Sequence, residues 1–327
     1  MYSGGTYTGS QTTINSASMY HFFRRAALET LEANLVMAPL GMVQDLPKGF
    51  GKTVKFIRYP NLALVTGTLT EGTMPAAVAL SSGSVTAAVS QYGRVVQLSD
   101  LAGLSAADDI EKAIRERVAY NAARSLDRLI LTHLKSAASA SNIWANGTAA
   151  SAVSTALCAL DFLTAAITFR KNDVQPAKGE DFVAVVHPAV AYDIMSETTA
   201  NACWADVHKY TNNKPILNGE IGRLYGVRVV ESSQIITGAD GKSSATLYYN
   251  MALGKDAFAT TTLGSGGGKG FELIIMPFGS GGATGDALKQ VMSIGWKSQF
   301  ACKYLGAMAS PVSNPHLAIR MIGKSSG

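Results

Sequence analysis

Between Arg58 and Arg94 lie 35 residues with a single charged side chain, Glu71. The interval is rich in Thr, Ala, Val, Gly and Ser, and Gly67, Gly72 and Gly83 mark turns within it. Its flanks, Val54 to Tyr59 and Ser84 to Leu98, alternate as extended chain, so Val54 to Asp100 is expected to form a long hairpin. At ~3.3 Å per residue, such a hairpin reaches tens of ångströms from the body that carries it. Exposed strand edges are ordinarily guarded by charge, and a bare ribbon in water is an aggregation hazard. The composition makes physical sense if the segment lies on a partner.

The rest of the chain points the same way. Only 16% of its 327 residues are charged, against ~25% in an ordinary soluble domain, and the mean hydropathy is +0.14. A membrane span does not account for this, because no run of ~18 apolar residues exists; the most apolar helical stretch, Leu157 to Phe169, carries Asp161. The first 20 residues hold neither Lys, Arg nor an apolar core, which disfavours a secretory signal. Burial between subunits is the simplest remaining explanation. Cys158, Cys203 and Cys302 form no CxxC pair and are expected to be small buried hydrophobes in a reducing compartment.

The net charge of +5 sits entirely at the end of the chain. From Lys289 to Gly327 there are five cations (Lys289, Lys297, Lys303, Arg320, Lys324) and no acid. The segment is either a solvated strand face or a phosphate contact, weak and salt-sensitive per copy but multiplied over many. Lys297, Lys303 and Arg320 are the candidates for meeting phosphate.

Residues 1–18 are uncharged, 11 of them Ser, Thr or Gly, and are expected to be a flexible arm. A short amphipathic stretch (Tyr20 to Leu31) follows. After the hairpin, Ile110, Ile114, Val118, Ala122, Leu126, Leu129/Ile130 and Leu134 predict a helix of about 30 residues, with Ser105 and Asp108 as its capping pattern. Asp108–Lys112 and Glu111–Arg115 are favourable pairs on its outer side. Beyond Asn146-Gly147, helices are predicted at Leu157 to Arg170 and Ala189 to Ser196, the latter opened by Pro188. Strands are predicted at Phe182 to Val186, Gly226 to Glu231, Thr246 to Tyr249 and Phe271 to Met276. Trp296 to Tyr304 alternates, and Leu317, Ile319 and Met321 do the same. The fold class is α+β, without internal repeats.

Chemistry-bearing motifs are scarce. Gly49-Phe-Gly-Lys-Thr53 has the ending of a Walker A loop, but Leu46 stands where the first Gly is needed. Leu263 to Gly270 lacks the Ser/Thr that would hold magnesium. The five histidines are widely separated in sequence, and no HExxH or G-x-S-x-G occurs. No catalytic, cofactor-binding or metal-ligating residue is assigned, and the chain is not expected to be an enzyme.

The order of these features resembles the Hong Kong 97-type capsid fold, and within it the major capsid family of the podophage group typified by coliphage N-four. The resemblance covers roughly residues 20–325. It rests on Leu46-Pro-Lys-Gly-Phe-Gly-Lys-Thr-Val54, Leu69-Thr-Glu-Gly72, Gln91-Tyr-Gly93, Asn218-Gly-Glu-Ile-Gly-Arg-Leu-Tyr-Gly-Val227 and Gly254-Lys-Asp-Ala-Phe258. It implies an N-terminal arm at 1–49, an E-loop at 50–98, a P-domain at 99–150 with the spine helix and again at 285–327, and an A-domain at 151–284. It also implies a tailed-phage major capsid protein, assembled in the host cytoplasm into hexamers and pentamers of an icosahedral head around double-stranded DNA. Scaffold, portal and decoration proteins are the further partners implied; no membrane is. Some relatives weld their shells through a Lys in the E-loop, and residues 59–93 contain none. Thr70, Glu71, Gly72, Arg58 and Arg94 are the candidates for inter-subunit contact, Glu71 either pairing with a neighbour's cation or standing as a solvated turn residue. Two alternatives remain: an encapsulin-like nanocompartment shell and an enzyme with a dispersed active site.

Overall fold

A computed structural model describes residues 36–47, 49–59, 62, 65–69, 71–75, 77–105, 109–137, 141–177, 179–196, 205–206, 220–263, 272–278, 288, 290–308 and 314–325. In chain order the first strands are β1 (Met42–Leu46), β2 (Thr53–Arg58), β3 (Gly83–Ala88) and β4 (Ser90–Ser99). Helices α1 (Asp100–Ser105) and α2 (Ile110–Ala137), strand β5 (Asn142–Trp144) and helix α3 (Ala159–Lys171) follow. Next come β6 (Phe182–Val186), α4 (Pro188–Ser196), β7 (Ala205–Asp206), β8 (Glu220–Leu224), β9 (Val227–Glu231) and β10 (Ile236–Gly238). The chain continues with β11 (Leu247–Leu253), β12 (Phe258–Leu263), β13 (Glu272–Met276), β14 (Val291–Tyr304) and β15 (Ala318–Lys324). The elements group into two compact units.

One unit takes in the described residues of Ser90–Ser125 and Ser265–Phe300. Here β14 pairs antiparallel with β4 on one side and β13 on the other. Its alternation buries Met292, Ile294 and Trp296, which pack with Leu98 and with Val118 and Ala122 of α2. The three-to-four spacing of Ile110, Ile114, Val118 and Ala122 thus meets a strand face of period two. Trp296 buries its ring and donates Nε1–H to Asn121 Oδ1 at 3.1 Å, which satisfies the one polar atom of the indole.

Two details depart from expectation. The cap of α2 is Asp109, whose carboxylate accepts the Lys112 backbone N–H at 3.1 Å; Asp108 lies outside the described residues. The Asp109 side chain is the one that reaches the third N–H of the helix, where an N-cap acts. The turn before it is itself helical: α1 starts after Ser99, whose Oγ accepts the Ala102 N–H. On the outer side of α2, Glu111 and Arg115 form the expected pair.

The second unit takes in the described residues of Ala33–Val89, Leu126–Gly264 and Ala301–Gly327. Its main sheet runs β5-β15-β11-β6-β9-β8-β7, with β10 added to β11. β6 is parallel to β9 and antiparallel to β11. All five residues of β6 are buried, and so are six of seven in β11. Such near-continuous apolar runs belong to strands covered on both faces. β15 behaves likewise: Ala318, Ile319, Met321 and Ile322 are all buried, so the alternation expected there is replaced by two covered faces. Helix α3 buries Ala159, Phe162, Ala165, Ala166 and Phe169, and Phe169 stacks on Phe182 of β6 with ring centroids 4.6 Å apart. Its first turn is closed by Asp161, whose carboxylate accepts the Cys158 N–H at 2.9 Å. Gly254 follows β11 because a side chain there would collide with Val174.

Candidate assembly surface

The hairpin is short where it is paired. β2 and β3 form a six-residue antiparallel ladder from Thr53↔Ala88 to Arg58↔Gly83. Val54, Phe56 and Ala87 are buried and fix its inner face. Between the strands, the described residues of 59–82 carry no strand at all, so the long β-ribbon expected from the sequence is a β-root with a loop beyond it. The loop's Thr, Gly and Ser favour turns, and every described residue in it is exposed, so none anchors a ladder in register. It exposes large apolar groups: Leu69 is 75% exposed, Val65 86% and Met74 91%. Glu71 and Gly72 form a turn, and Gly72 adopts φ 76°, a conformation that glycine accepts without strain. Glu71 is exposed and has no ion-pair partner among the described residues. Thr70 lies outside the described residues. Arg58 is exposed at the end of β2, and Arg94 is exposed on β4 opposite Trp296.

Beside the root of the hairpin, in the same unit, opens a cleft of about 480 Å³. Lys55, Arg58 and Lys255 line it together with Asp173 and Asp256, while Phe56, Met308 and Leu317 supply apolar lining. The structure therefore brings Arg58 together with two cations that the sequence did not single out.

The basic candidates divide. Lys297 and Lys303 are half-buried on β14. Lys303 lies near enough to His133 for its charge to assist burial in holding that imidazole below its ordinary pKa. Neutral His133 accepts the Tyr304 backbone N–H at Nε2, 3.3 Å away. Arg320 is committed inside the fold: Nε donates to Asn142 Oδ1 and Nη1 to the Lys135 carbonyl, both at 2.6 Å. Lys135 is in the last turn of α2, so the guanidinium caps that helix.

Sequence reasoning missed three buried polar residues. Asp127, on α2, takes the Met37 N–H on Oδ1 at 2.9 Å, while its Oδ2 is buried without a partner. Its signal was present, because Asp127 stands in register with Ile130, Leu131 and Leu134 on an apolar stripe. Asp181 is buried between Arg228, whose Nε donates to it at 2.9 Å, and Arg223, at 2.5 Å as an ion pair without hydrogen-bond alignment. Asn250 of β11 accepts the His187 N–H and donates to the Met321 carbonyl. These groups hold strands and helix ends, and nothing about them gathers acid–base chemistry.

The two described thiols, Cys158 and Cys302, are half-buried rather than fully buried as expected, and both are unsuited to attack. Burial pushes Cys302 up to about 12 and raises Cys158, the latter helped by the Asp161 charge. Cys203, His21 and His208 lie outside the described residues, as do residues 264–270 of the second glycine-rich loop. Among the described residues, no group of His, Cys, Asp or Glu is placed to hold a metal ion, and no helix is long and apolar enough to cross a membrane.

A model of the family described as phage capsid protein matches residues 83–302, two thirds of the chain. The chain belongs to this family. The phage capsid protein also resembles solved capsids at low identity. The capsid of Ralstonia phage GP4 is 12% identical, with 100% of this chain and 99% of that one covered at a TM-score of 0.69. The cyanophage Pam1 capsid asymmetric unit is 15% identical, covering 98% and 100%, with a TM-score of 0.65. The capsid of cyanophage P-SCSP1u is 15% identical, covering 94% and 93%, with a TM-score of 0.63. No curated protein matches the chain. The phage capsid protein thus has the α+β, Hong Kong 97-type fold of tailed-phage capsids.

Proposed function

We propose that this phage capsid protein is the major subunit of the head, forming hexamers and pentamers that close an icosahedral shell around double-stranded DNA. The observation that carries the reading is the loop between β2 and β3. It holds one charge and leaves Val65, Leu69, Met74 and Val78 more than 70% exposed, whereas β6 and β11 of the same unit are almost wholly buried. Monomers rarely present such a surface without a use for it. In this reading residues 50–98 are the E-loop and lie across a neighbouring subunit, and residues 1–49 are the N-terminal arm. Residues 99–150 and 285–327 form the P-domain, and residues 151–284 form an A-domain directed at the capsomer centre. With no Lys at 59–93, the E-loop contact is non-covalent on its own side. Lys297 and Lys303 face the genome, whereas Arg320 serves the fold. Assembly takes place in the host cytoplasm, with scaffold, portal and decoration proteins as partners, and the work of the subunit is structural.

Negative-stain imaging and the 260/280 nm absorbance ratio of purified particles test this. Capsid-sized particles rich in nucleic acid are expected. Small shells free of nucleic acid would instead favour a cargo compartment, and a stable monomer at every salt concentration would end the shell reading.

A further inference from the structure

We propose that the Glu71–Gly72 turn of one subunit seats in the cleft beside β2 of a neighbouring copy, its carboxylate meeting Lys55, Arg58 and Lys255. The proposal rests on the shell reading above and names the contact that the loop makes. Three observations support it.

The first is charge. The cleft is lined by three cations against two carboxylates, Asp173 and Asp256, a balance of +1. None of the five is ion-paired among the described residues. The Lys255 ammonium has only a neutral partner, Gln175 Oε1 at 3.5 Å. The loop that needs a partner carries one charge, and it is negative. A carboxylate entering a site with one positive charge in excess gains specificity and register more than bulk affinity.

The second is shape. The left-handed backbone at Gly72 makes the turn, and Glu71 stands exposed in it, with the exposed Leu69 and Met74 on either side in sequence. Those two side chains match the apolar lining given by Met308 and Leu317. An anchor of this kind combines a central charge with flanking apolar groups that exclude water from it.

The third is that, among the described residues, the loop does not fill the cleft of its own chain. Glu71 is not among the lining residues, and Leu69 and Met74 remain largely exposed. From Arg58 the 13 residues to Glu71 span up to about 43 Å at ~3.3 Å each, enough to leave the subunit that carries them. Turn and cleft are different surfaces of one chain, so their contact is head-to-tail. Such heterologous contacts generate rings when the rotation closes, as hexamers and pentamers require.

The test combines a cross-link with an assembly count. A Glu–Lys pair spans more than a disulfide can bridge, so a short bis-maleimide is applied to particles of the Glu71→Cys, Lys255→Cys variant. A ladder from dimer to capsomer size is expected on denaturing gels, absent from either single variant, which reports the background of the native thiols. Glu71→Lys should lower particle yield about tenfold or more, since facing like charges are penalised; adding Arg58→Glu and Lys255→Glu should restore it. Glu71, Arg58 and Lys255 are all exposed, so none of these changes threatens the subunit fold. Particles that form without a ladder, with Glu71→Lys assembling at the unaltered yield, overturn the seating and leave the shell reading intact. An unaltered chain that never yields particles overturns the shell reading itself.

Discussion

Asp127 is a carboxylate in an apolar place, and its environment sets a sign. Burial pushes its pKa from the usual 3.8 up to about 6, although the backbone amides of Met37, Val36 and Ala38 pull the other way. A carboxyl whose pKa rises on folding holds its proton more tightly in the native chain than in the unfolded one. Stability from this residue is therefore fully present below about pH 4 and is lost as the pH climbs towards 6. A rise of that size corresponds to about 3 kcal/mol. Asp127→Asn keeps an acceptor for the Met37 N–H and removes the charge. It should be more stable than the unaltered subunit at neutral pH and lack its dependence on pH through the acid range. Asp127→Ala strands the amide cluster and should lose about 2–4 kcal/mol. Urea unfolding of the unassembled subunit at neutral and mildly acid pH checks both.

At the scale of elements, the β2–β3 root carries the loop, and Phe56 carries the root. Phe56 is 4% exposed and faces Val85 across the ladder. Phe56→Ala should cost about 3–5 kcal/mol, and the loss should fall on the hairpin, where the other buried residues of β2 and β3 are Val54, Ala87 and Gly83. Limited proteolysis of the free subunit should then cut between residues 59 and 82 faster, and also within the strands; cleavage confined to the loop at an unchanged rate would show the root to be held elsewhere. The elements that could be read from the sequence were those whose pattern repeats. Ile110 to Ala122 fixed the helix face, and Phe182 to Val186 fixed a covered strand. β1 and β5 were not legible, because five and three residues pair with strands more than 170 residues away, and only the fold supplies the partner. α1 was missed because six residues around Gly103 show no period. The loop was read correctly as bare but wrongly as paired, since composition reports a missing charge and says nothing of a missing ladder. Lys55 and Lys255 escaped notice for the same reason as β1: the cleft that joins them is built by distant segments.

For the whole molecule, the question is what the excess of positive charge is for. All of the +5 lies in residues 289–327, yet the structure divides that charge by use. Arg320 donates two short hydrogen bonds, to Asn142 and to the end of α2, and its backbone N–H bonds the Ser141 carbonyl. Such a group has little left to offer a phosphate, and each charged bond lost on truncation is worth about 1.5–3 kcal/mol. Arg320→Gln should therefore lower subunit stability, by chemical denaturation, and lower particle yield in proportion. Lys297 and Lys303 share one parity of β14 and, among the described residues, make no such side-chain hydrogen bonds. The Lys297→Gln, Lys303→Gln variant should assemble normally and differ only once DNA is inside. Two fewer cations per subunit weaken the counterion-release term of each contact, and hundreds of copies add that loss together. Its particles should release DNA at lower salt than unaltered ones, read from the 260/280 nm ratio after a graded salt challenge. Equal retention at every salt concentration would remove these two lysines from the inner face and leave the basic segment a solvated strand surface.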